Sequence, residues 1–272
     1  MLIAHISDPH IKLPGRLAYR RVDTAAMLRA CVRALQAVAP QPDLLLLTGD
    51  LVDGGRPEEY EHLKIILAPL GQRILIVPGN HDDRHTMRVA FADAGYFSAA
   101  GFLQFAVDDA SPLRLIGLDT VIPGEEGGEL CAERLAWLEA TLRQRPQSPT
   151  LLMMHHPPFV TGIGHMDQIG LQGRQNFAEI VARHPQVQLI LCGHIHRVIR
   201  ATVGGRPAMT CPSPAHQVAL DLRDEAPSRF RMEPPGFLLH RWHNGELISH
   251  VAAIGDYEGP YPFFDSDGGL ID

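Results

Sequence analysis

The sequence predicts an α/β protein with a largely parallel sheet. Six short apolar runs recur along the chain, each bounded by turn residues. They are nearly continuous rather than alternating, as expected for strands buried on both faces. Helical patterns lie between several of the runs, and strands that alternate with helices are typical of parallel sheets. The predicted strands cover residues 2–6, 43–47, 73–77, 113–118, 150–154 and 187–191.

Four helices are predicted between these strands. The first spans residues 24–38, with apolar residues at helical spacing and Asp23 or Thr24 as its N-cap. The second spans residues 57–70 and opens with Pro57, a residue type favoured in the first helical turn. The other two predicted helices cover residues 131–144 and 177–183.

The last quarter of the chain has a different pattern. Two hairpins are predicted there, and the second has Asn244-Gly245 at its turn, a pair that favours the tight primed geometry. Residues 212–236 are rich in proline and charge, and residues 255–272 contain glycine, proline and aromatic residues without a period. We therefore expect a single domain over residues 1–272, with these two segments as accessory cap or oligomerisation segments.

Composition excludes several classes of function. The chain has 272 residues, of which 45% are apolar and 20% charged, an ordinary globular balance. A net charge of -7 and the lack of a basic run argue against binding to a nucleic acid polymer. No secretory pattern opens the chain, and no apolar stretch approaches the roughly 20 residues that span a bilayer. We expect a cytoplasmic protein without a membrane partner.

The four cysteines lack CxxC spacing, so no zinc–thiolate site is predicted.

Five of the six apolar runs end in side chains that can bind metals. In α/β sheets, ligands bind beyond the carboxyl ends of the strands, so these clusters should converge on one crevice. Turn chemistry explains a single cluster equally well, but histidine is not a preferred turn residue and five such ends make coincidence improbable. The clusters are Asp8-Pro9-His10, Gly49-Asp50, Gly79-Asn80-His81-Asp82, His155-His156 and Gly193-His194-Ile195-His196.

The residue types in these clusters predict two metal ions. Carboxylate oxygens and imidazole nitrogens without thiolate suit divalent or trivalent Fe, Mn, Zn or Co. Residues two apart in extended chain point the same way, so Asp8 and His10 can reach one site together, as can His194 and His196. The candidates are too many for a single ion. Asp50 has two carboxylate oxygens and could bridge two ions about 3.5–4 Å apart.

The ordered clusters resemble the signature of the calcineurin-like metallophosphoesterases, which reads D-x-H, G-D, G-N-H, H and G-H-x-H. The motifs extend from residue 8 to residue 196 and so cover most of the chain. The run Met154-His155-His156-Pro157-Pro158 and the later His216-Gln217 look like the bacterial class III cyclic-nucleotide phosphodiesterases, and within these the glycerophosphodiesterase branch is most similar. Gly54-Gly55 departs from the protein Ser/Thr phosphatases, which carry an arginine there.

The resemblance implies a fold and a role for each residue. The implied fold is a four-layer αββα sandwich of two mixed β-sheets flanked by helices, with a small C-terminal accessory or oligomerisation element. His81 would contact the phosphate or the leaving group, Asn80 and His216 would also face the substrate, and Asp50 and His81 would be the catalytic residues. One metal would take Asp8, His10, Asp50 and His196, and the second would take Asp50, Asn80, His155 and His194. From the neighbouring residues, we expect Asp53, Asp82 and His156 to orient the ligands.

The implied function is a phosphodiesterase that hydrolyses small diesters, either 3′,5′-cyclic nucleotides or glycerophosphodiesters, by attack of a metal-bound hydroxide. Two alternatives remain open. The same centre could serve a phosphomonoesterase or a phosphonate monoester hydrolase. A non-catalytic scaffold is also possible, although such a protein would be expected to lose ligands or His81. Relatives of this kind associate through C-terminal elements, so the resemblance also implies a homo-oligomer, either a dimer or a dimer-based assembly.

The remaining histidines have structural interpretations. His5 lies within a predicted strand and is expected in the core. A loop group after His155, made of His165, Asp167 and Gln168, is a candidate for shaping the substrate pocket. Histidines on or near helices are expected at the surface, and they are His62, His85 and His184.

Overall fold

The computed structural model describes residues 1–110 and 112–271, and it confirms the predicted α/β architecture. The helices are α1 Thr24–Gln36, α2 Pro57–Leu67, α3 Arg84–Ala90, α4 Ala132–Gln144, α5 Gly164–Gln168 and α6 Arg174–Ala182. The strands are β1 Leu2–Ile6, β2 Leu44–Thr48, β3 Arg73–Val77, β4 Phe105–Val107, β5 Arg114–Gly117, β6 Gly128–Glu129, β7 Thr150–Met153, β8 Leu171–Gln172, β9 Val187–Cys192, β10 Arg200–Val203, β11 Arg206–Thr210, β12 Gln217–Val218, β13 Phe230–Arg231, β14 Gly236–His243 and β15 Glu246–Ala253.

Two mixed sheets form the centre of the molecule. The first has the strand order β15-β14-β1-β2-β3, in which β1, β2 and β3 are parallel and β14 runs antiparallel to β1. The second has the order β10-β11-β9-β7-β5-β4, with a parallel centre and an antiparallel strand at each edge. Because the central strands of each sheet are parallel, their carboxyl ends lie together at one edge of that sheet.

Alternating side chains build the four predicted layers. In β2, Leu45 and Leu47 belong to the apolar cluster that contains the buried faces of α1 and α2. Leu44 and Leu46 point the other way, into the cluster between the two sheets. A third cluster packs α4 and α6 against the outer face of the second sheet. The order of layers is therefore helices, sheet, sheet, helices, as the resemblance implies.

Local signals in the sequence account for several element ends. The Asp23 carboxylate accepts a hydrogen bond from the Ala26 backbone N–H at 2.9 Å and so caps α1, as predicted. Asn244 and Gly245 have φ of 51° and 83°, which matches the predicted primed turn between β14 and β15. No helix in residues 1–110 or 112–271 has the length and apolar character needed to cross a membrane.

Some elements and burial states differ from the predictions. Helix α3, which is capped by Asp83, and strand β4 are not anticipated from the sequence. His62 and His184 were expected at the surface, but their residues are only 8% and 7% exposed. The buried His62 ring bonds the Lys12 carbonyl at 2.8 Å, and this backbone contact explains its place inside the fold. His5 is fully buried, as expected.

The two C-terminal segments have little regular structure. Residues 212–236 contribute the short strands β12 and β13, which pair with each other. Residues 255–271 lie on the surface, where Tyr261 and Phe263 are 70% and 79% exposed. The role of both segments as accessory or oligomerisation elements stays a prediction.

Candidate metal centre

The five predicted polar clusters lie together beyond the carboxyl ends of β1, β2, β3, β7 and β9. His10 Nε2 is 3.1 Å from His196 Nε2 and 3.5 Å from Asp50 Oδ2. His155 Nε2 is 3.3 Å from Asp50 Oδ2, and His196 Nε2 is 3.6 Å from Asp8 Oδ1. Two donor atoms bound to one tetrahedral ion at about 2.1 Å lie about 3.4 Å apart. The observed spacings therefore suit metal ligands.

The charges of the two central carboxylates also indicate that this site binds metal ions. Asp8 and Asp50 are 0% and 2% exposed, and in the described part of the chain no lysine or arginine pairs with either. Burial raises the pKa of Asp8 to about 6. Burial alone would also raise the pKa of Asp50, but the imidazoles of His155 and His81 hold that pKa well below its usual range. Buried carboxylates without a lysine or arginine partner need a further source of positive charge, and metal ions supply it.

The candidate ligands fall into two adjoining groups. Asp8, His10 and His196 offer donor atoms within 4.8 Å of one another. On the other side of Asp50, His155 Nε2 lies 3.1 Å from Asn80 Oδ1, and the His194 ring lies 5.1 Å from the His155 ring. His155 Nδ1 donates to the Thr48 carbonyl at 2.8 Å, so Nε2 is the nitrogen that faces the cluster. This arrangement fits a binuclear centre with Asp50 between the two groups.

Backbone strain is concentrated in these residues. Few non-glycine residues in the described chain have positive φ, and the five with predicted ligand roles have φ of 55°, 44°, 48°, 71° and 55°. Each such conformation costs about 1–3 kcal/mol and is found mainly at functional sites. Here it turns the chain sharply at the strand end and aims the side chain back into the crevice. The five are Asp8, His10, Asp50, His194 and His196.

His81 and His216 lie at the pocket above this cluster. The pocket has a volume of about 400 Å³ and is also lined by Asn80. His81 Nδ1 donates to the Asp53 carbonyl at 2.9 Å, and its ring is one-third exposed, so Nε2 is available to a ligand. The His216 carbonyl accepts from His196 Nδ1 at 2.9 Å, while its ring lines the pocket. Both residues therefore face the pocket, and their contact with a substrate stays a prediction.

The residues expected to orient the ligands do contact them or the loops that carry them. Asp82 is buried and accepts hydrogen bonds from the backbone N–H groups of Leu51 and Gly79 at 3.1 and 2.9 Å, which ties the two loops together. Burial, with the charge of Asp50, raises the pKa of Asp82 to about 6. Asp53 Oδ1 lies 3.5 Å from His10 Nδ1.

Both ring nitrogens of His156 have hydrogen-bond partners, so this residue supports the site and leaves no nitrogen free to bind a metal. Its Nδ1 lies 2.8 Å from Thr120 Oγ1, and its Nε2 lies 3.1 Å from the Glu126 carbonyl. Burial lowers the pKa of His156 to about 3, so the ring is neutral near pH 7. The ring lies 4.6 Å from that of His194 and packs against it.

Several pocket residues have no signal in the sequence. Tyr19 and Glu126 line the pocket from two loops and Phe230 lines it from β13; the three are distant along the chain, so no spacing pattern links them. His165, a candidate from sequence, also lines the pocket, and Gln168 lines an adjoining groove. The Asp167 carboxylate is occupied, because it accepts from the backbone N–H groups of residues 161 and 162 at 2.8 and 2.9 Å.

Comparison with known proteins agrees with this geometry. A family model described as calcineurin-like phosphoesterase matches residues 1–198. A probable glycerophosphodiester phosphodiesterase from Arcobacter nitrofigilis is 41% identical over 274 residues, which cover 100% of both chains. A probable cyclic nucleotide phosphodiesterase from Synechococcus is 35% identical over 249 residues, covering 86% of this chain and 88% of that one. A dimetal phosphatase from Danio rerio has the same fold, with a TM-score of 0.69 at 14% identity over 94% of this chain and 97% of that one. The chain belongs to the calcineurin-like phosphoesterase family.

Proposed function

We propose that the protein is a binuclear metal-dependent phosphodiesterase that hydrolyses small phosphodiesters. The observation that carries this proposal is the pair of buried carboxylates, Asp8 and Asp50, which are surrounded by imidazoles; of the two, Asp50 lines the 400 Å³ pocket. The names of the two relatives support glycerophosphodiesters or 3′,5′-cyclic nucleotides as the substrate class.

The proposed ligand sets follow the two groups of donor atoms. Asp50 would contact both ions, because its Oδ2 lies near imidazole nitrogens on both sides. Imidazole and carboxylate donors suit Fe, Mn, Zn or Co. The first ion would be held by Asp8, His10, Asp50 and His196, and the second by Asp50, Asn80, His155 and His194.

The protein's own residues would prepare and complete the reaction. When bound, two such ions lower the pKa of a water molecule and neutralise phosphoryl oxygens. With Nδ1–H donating to the Asp53 carbonyl, His81 would need a second proton on Nε2, and in that doubly protonated form it would donate a proton or hydrogen bond from Nε2 to the oxygen of the departing alcohol. Asn80 and His216 would hold the substrate at the pocket, and Asp82 would keep the loops of β2 and β3 in register.

The pocket's charge favours a diester over a monoester. Near neutral pH a phosphomonoester carries up to two negative charges, whereas a diester carries one. Among the described residues that line the pocket, Arg229 is the one with a permanent positive charge, and it is exposed. A scaffold without activity would have no need of His81 or the full ligand set, and both are present.

A substrate panel tests the proposal. Bis(p-nitrophenyl) phosphate, p-nitrophenyl phosphate, cyclic nucleotides and glycerophosphodiesters would be assayed with Mn, Fe, Co and Zn. We expect the diesters to be hydrolysed faster than the monoester. Faster monoester hydrolysis would instead support the phosphomonoesterase or phosphonate monoester hydrolase. A lack of turnover with every metal would support the scaffold.

We also propose that copies of the chain associate through the C-terminal surface, as a dimer or a dimer-based assembly. Tyr261 and Phe263 are 70% and 79% exposed there, and exposed aromatic groups often mark such contacts. Light scattering on the full chain and on Phe263→Ser tests this, and a monomeric full chain would contradict it. The cytoplasmic location stays a prediction.

A further inference from the structure

Of the six strands predicted from the sequence, β5 is the one whose carboxyl end carries no candidate ligand, although polar residues follow it. Asp119 and Thr120 come soon after the strand, and both are fully buried. The Asp119 carboxylate is already occupied, because Arg84 donates to its two oxygens from Nε and Nη2 at 2.6 and 2.9 Å. The same oxygens accept from the backbone N–H groups of Leu103 and Val121. The polar end of β5 therefore has a role other than metal binding.

The backbone around Thr120 is held on both sides. Arg134 is only 2% exposed, and its Nη1 donates to the carbonyl groups of residues 119 and 121 at 3.2 and 3.1 Å. The Thr120 carbonyl accepts from the Glu129 backbone N–H at 2.8 Å, which attaches this segment to β6. The position of the Thr120 hydroxyl is thus set by contacts outside the cluster of candidate metal ligands.

The Thr120 hydroxyl contacts a histidine whose proton position is fixed by a second hydrogen bond. His156 Nε2 lies 3.1 Å from the Glu126 carbonyl, and a carbonyl can only accept, so Nε2 carries the hydrogen. In the neutral ring Nδ1 is then an acceptor, and the Thr120 hydroxyl donates to it at 2.8 Å. Both hydrogen bonds are satisfied only when His156 is in this one tautomer.

The ring of His156 packs against the candidate ligand His194. A Cβ added at Gly128 would lie 2.4 Å from His156 Cγ and Nδ1, so the backbone of β6 also packs directly against the ring. The centroids of the His156 and His194 rings are 4.6 Å apart. His194 Nε2 donates to the Ile169 carbonyl at 3.2 Å, which leaves Nδ1 for an ion. A shift of the His156 ring would therefore allow His194 to rotate.

We propose that Thr120 is a positioning residue for the second metal position and acts through His156 on His194. The inference rests on the proposed binuclear centre and adds to it a residue outside both ligand sets. The Thr120 hydroxyl keeps the His156 ring in one tautomer and one orientation, and that ring holds His194 in place. In the described part of the chain, no hydrogen bond joins Thr120 or His156 to the ligand group that contains His10. Loss of the hydroxyl should therefore weaken one ion and spare the other.

Metal titration of Thr120→Val tests this role, because valine has nearly the shape of threonine and lacks the hydroxyl. Chelator-treated protein would be titrated with Zn in competition with a chelating dye, which gives a Kd for each ion. We expect one Kd to rise about tenfold, as for other residues that orient a ligand, while the second Kd stays at the wild-type value. Thr120→Ser keeps the hydroxyl and should restore both values. Thr141→Val, at a buried threonine of α4 outside the ligand groups, should leave both unchanged.

Nitrogen NMR of the histidine rings gives a second measurement that needs no turnover. In metal-free wild type we expect the His156 proton on Nε2, and in Thr120→Val we expect both tautomers to be populated. On addition of Zn, the His194 signals of Thr120→Val should need more metal to shift than those of wild type, whereas the His10 signals should not. A proton on His156 Nδ1 in wild type would contradict the assignment of Thr120 as the donor, even if Thr120→Val does not fold.

The outcomes separate the positioning role from the proposed function. Unchanged Kd values in Thr120→Val, an equal rise of both values, or a Thr120→Ser variant as weak as Thr120→Val would overturn the role of Thr120. These results leave the phosphodiesterase proposal standing as long as wild type hydrolyses a diester. That proposal fails separately, if wild type with both ions bound hydrolyses no diester while Thr120→Val still shows the expected loss of one ion.

Discussion

At the scale of single residues, most of the site depends on Asp50. Its Oδ2 lies 3.5 Å from His10 Nε2 and 3.3 Å from His155 Nε2, so it touches both groups of candidate ligands. Its Oδ1 accepts from the His81 backbone N–H at 2.9 Å. The same carboxylate therefore links the two proposed ion positions to the residue proposed to protonate the leaving group.

The variant Asp50→Ala should lose metal and activity together. We expect metal content to fall below two ions per chain and turnover of bis(p-nitrophenyl) phosphate to drop more than about 100-fold, because the loss of a shared ligand exceeds that of an orienting residue. Elemental analysis and steady-state rates measure both effects. Asp109→Ala, at an exposed carboxylate, is the control. Wild-type rates in Asp50→Ala after chelator treatment and metal replacement would show that Asp50 does not bridge.

The variant His81→Ala should retain metal but slow the reaction in a way that depends on the leaving group. A general acid contributes about 10²–10⁴-fold when the leaving alcohol is basic, and less when it leaves readily as an anion. We expect a loss above about 100-fold on a glycerophosphodiester and a smaller loss on bis(p-nitrophenyl) phosphate. His85→Ala, on the exposed side of α3, is the control. Equal losses on both substrates would argue against proton donation.

The sequence does not indicate the role that the structure suggests for Lys12, which is to orient His81 through Asp53. Its ammonium ion-pairs with the Asp53 carboxylate, and the Asp53 carbonyl accepts from His81 Nδ1 at 2.9 Å. We expect Lys12→Met to reproduce the leaving-group dependence of His81→Ala at a few-fold size, because His81 would be less well oriented. Lys12→Arg should restore the wild-type ratio of rates on the two substrates. A uniform loss in Lys12→Met would indicate a structural role alone.

At the scale of elements, the sequence predicts the strands better than the loops. Strands β1, β2 and β3 are buried on both faces, so their apolar runs are continuous and their polar ends stand out. Helix α3 has only seven residues and a single buried side chain, so it leaves no helical period to detect. His62 is buried because its ring reaches the Lys12 carbonyl, a tertiary contact that no local pattern encodes. The ligand positions follow from strand ends, whereas the pocket walls depend on loops.

Gly79 shows how closely two of these strand ends approach. A Cβ added there would lie 2.3 Å from both the Asp50 backbone nitrogen and Asp50 Oδ1. We expect Gly79→Ala to lower the free energy of unfolding by about 1–3 kcal/mol through overpacking and to reduce metal content. Urea unfolding and elemental analysis measure these effects. In Gly127→Ala the new Cβ would lie 3.4 Å from the Gly170 carbonyl oxygen, an ordinary van der Waals contact, so this control should change little. Wild-type stability and metal content in Gly79→Ala would show that the loops can move apart.

At the scale of the whole molecule, the candidate site lies at the seam between the two sheets. The space between the sheets is mainly apolar, but a buried polar chain crosses it. His240 Nε2 lies 3.3 Å from His5 Nδ1, and His5 Nε2 lies 2.9 Å from Thr48 Oγ1. The Thr48 carbonyl in turn accepts from His155 Nδ1 at 2.8 Å. The strand that carries His240 is thus connected through the core to the metal centre.

This buried chain makes the stability of the fold dependent on pH. Burial, with the nearby His250, lowers the pKa of His240 to about 3, and burial lowers the pKa of His5 well below its usual range. The folded state therefore holds both rings neutral, whereas the unfolded chain takes up protons below about pH 6.5. Stability contributed by these groups is complete above that pH and is lost as the pH falls, by up to about 1.4 kcal/mol per pH unit for each group. For His240 the loss continues down to about pH 3.

The variant His240→Gln should weaken this dependence. Glutamine can keep a hydrogen bond with Ser249, whose Oγ lies 2.8 Å from His240 Nδ1, but it does not titrate. Between pH 6.5 and pH 4.5 we expect the free energy of unfolding of the chelator-treated variant to fall less steeply than that of wild type. Urea titrations at intervals of half a pH unit give the slopes, and chelation removes the separate effect of proton competition for metal. The exposed His243→Gln, three residues along the same strand, should keep the wild-type slope. Equal slopes of unfolding free energy against pH for all three proteins would mean that the His240 ring accepts a proton inside the fold. The space between the sheets would then hold a charged imidazolium.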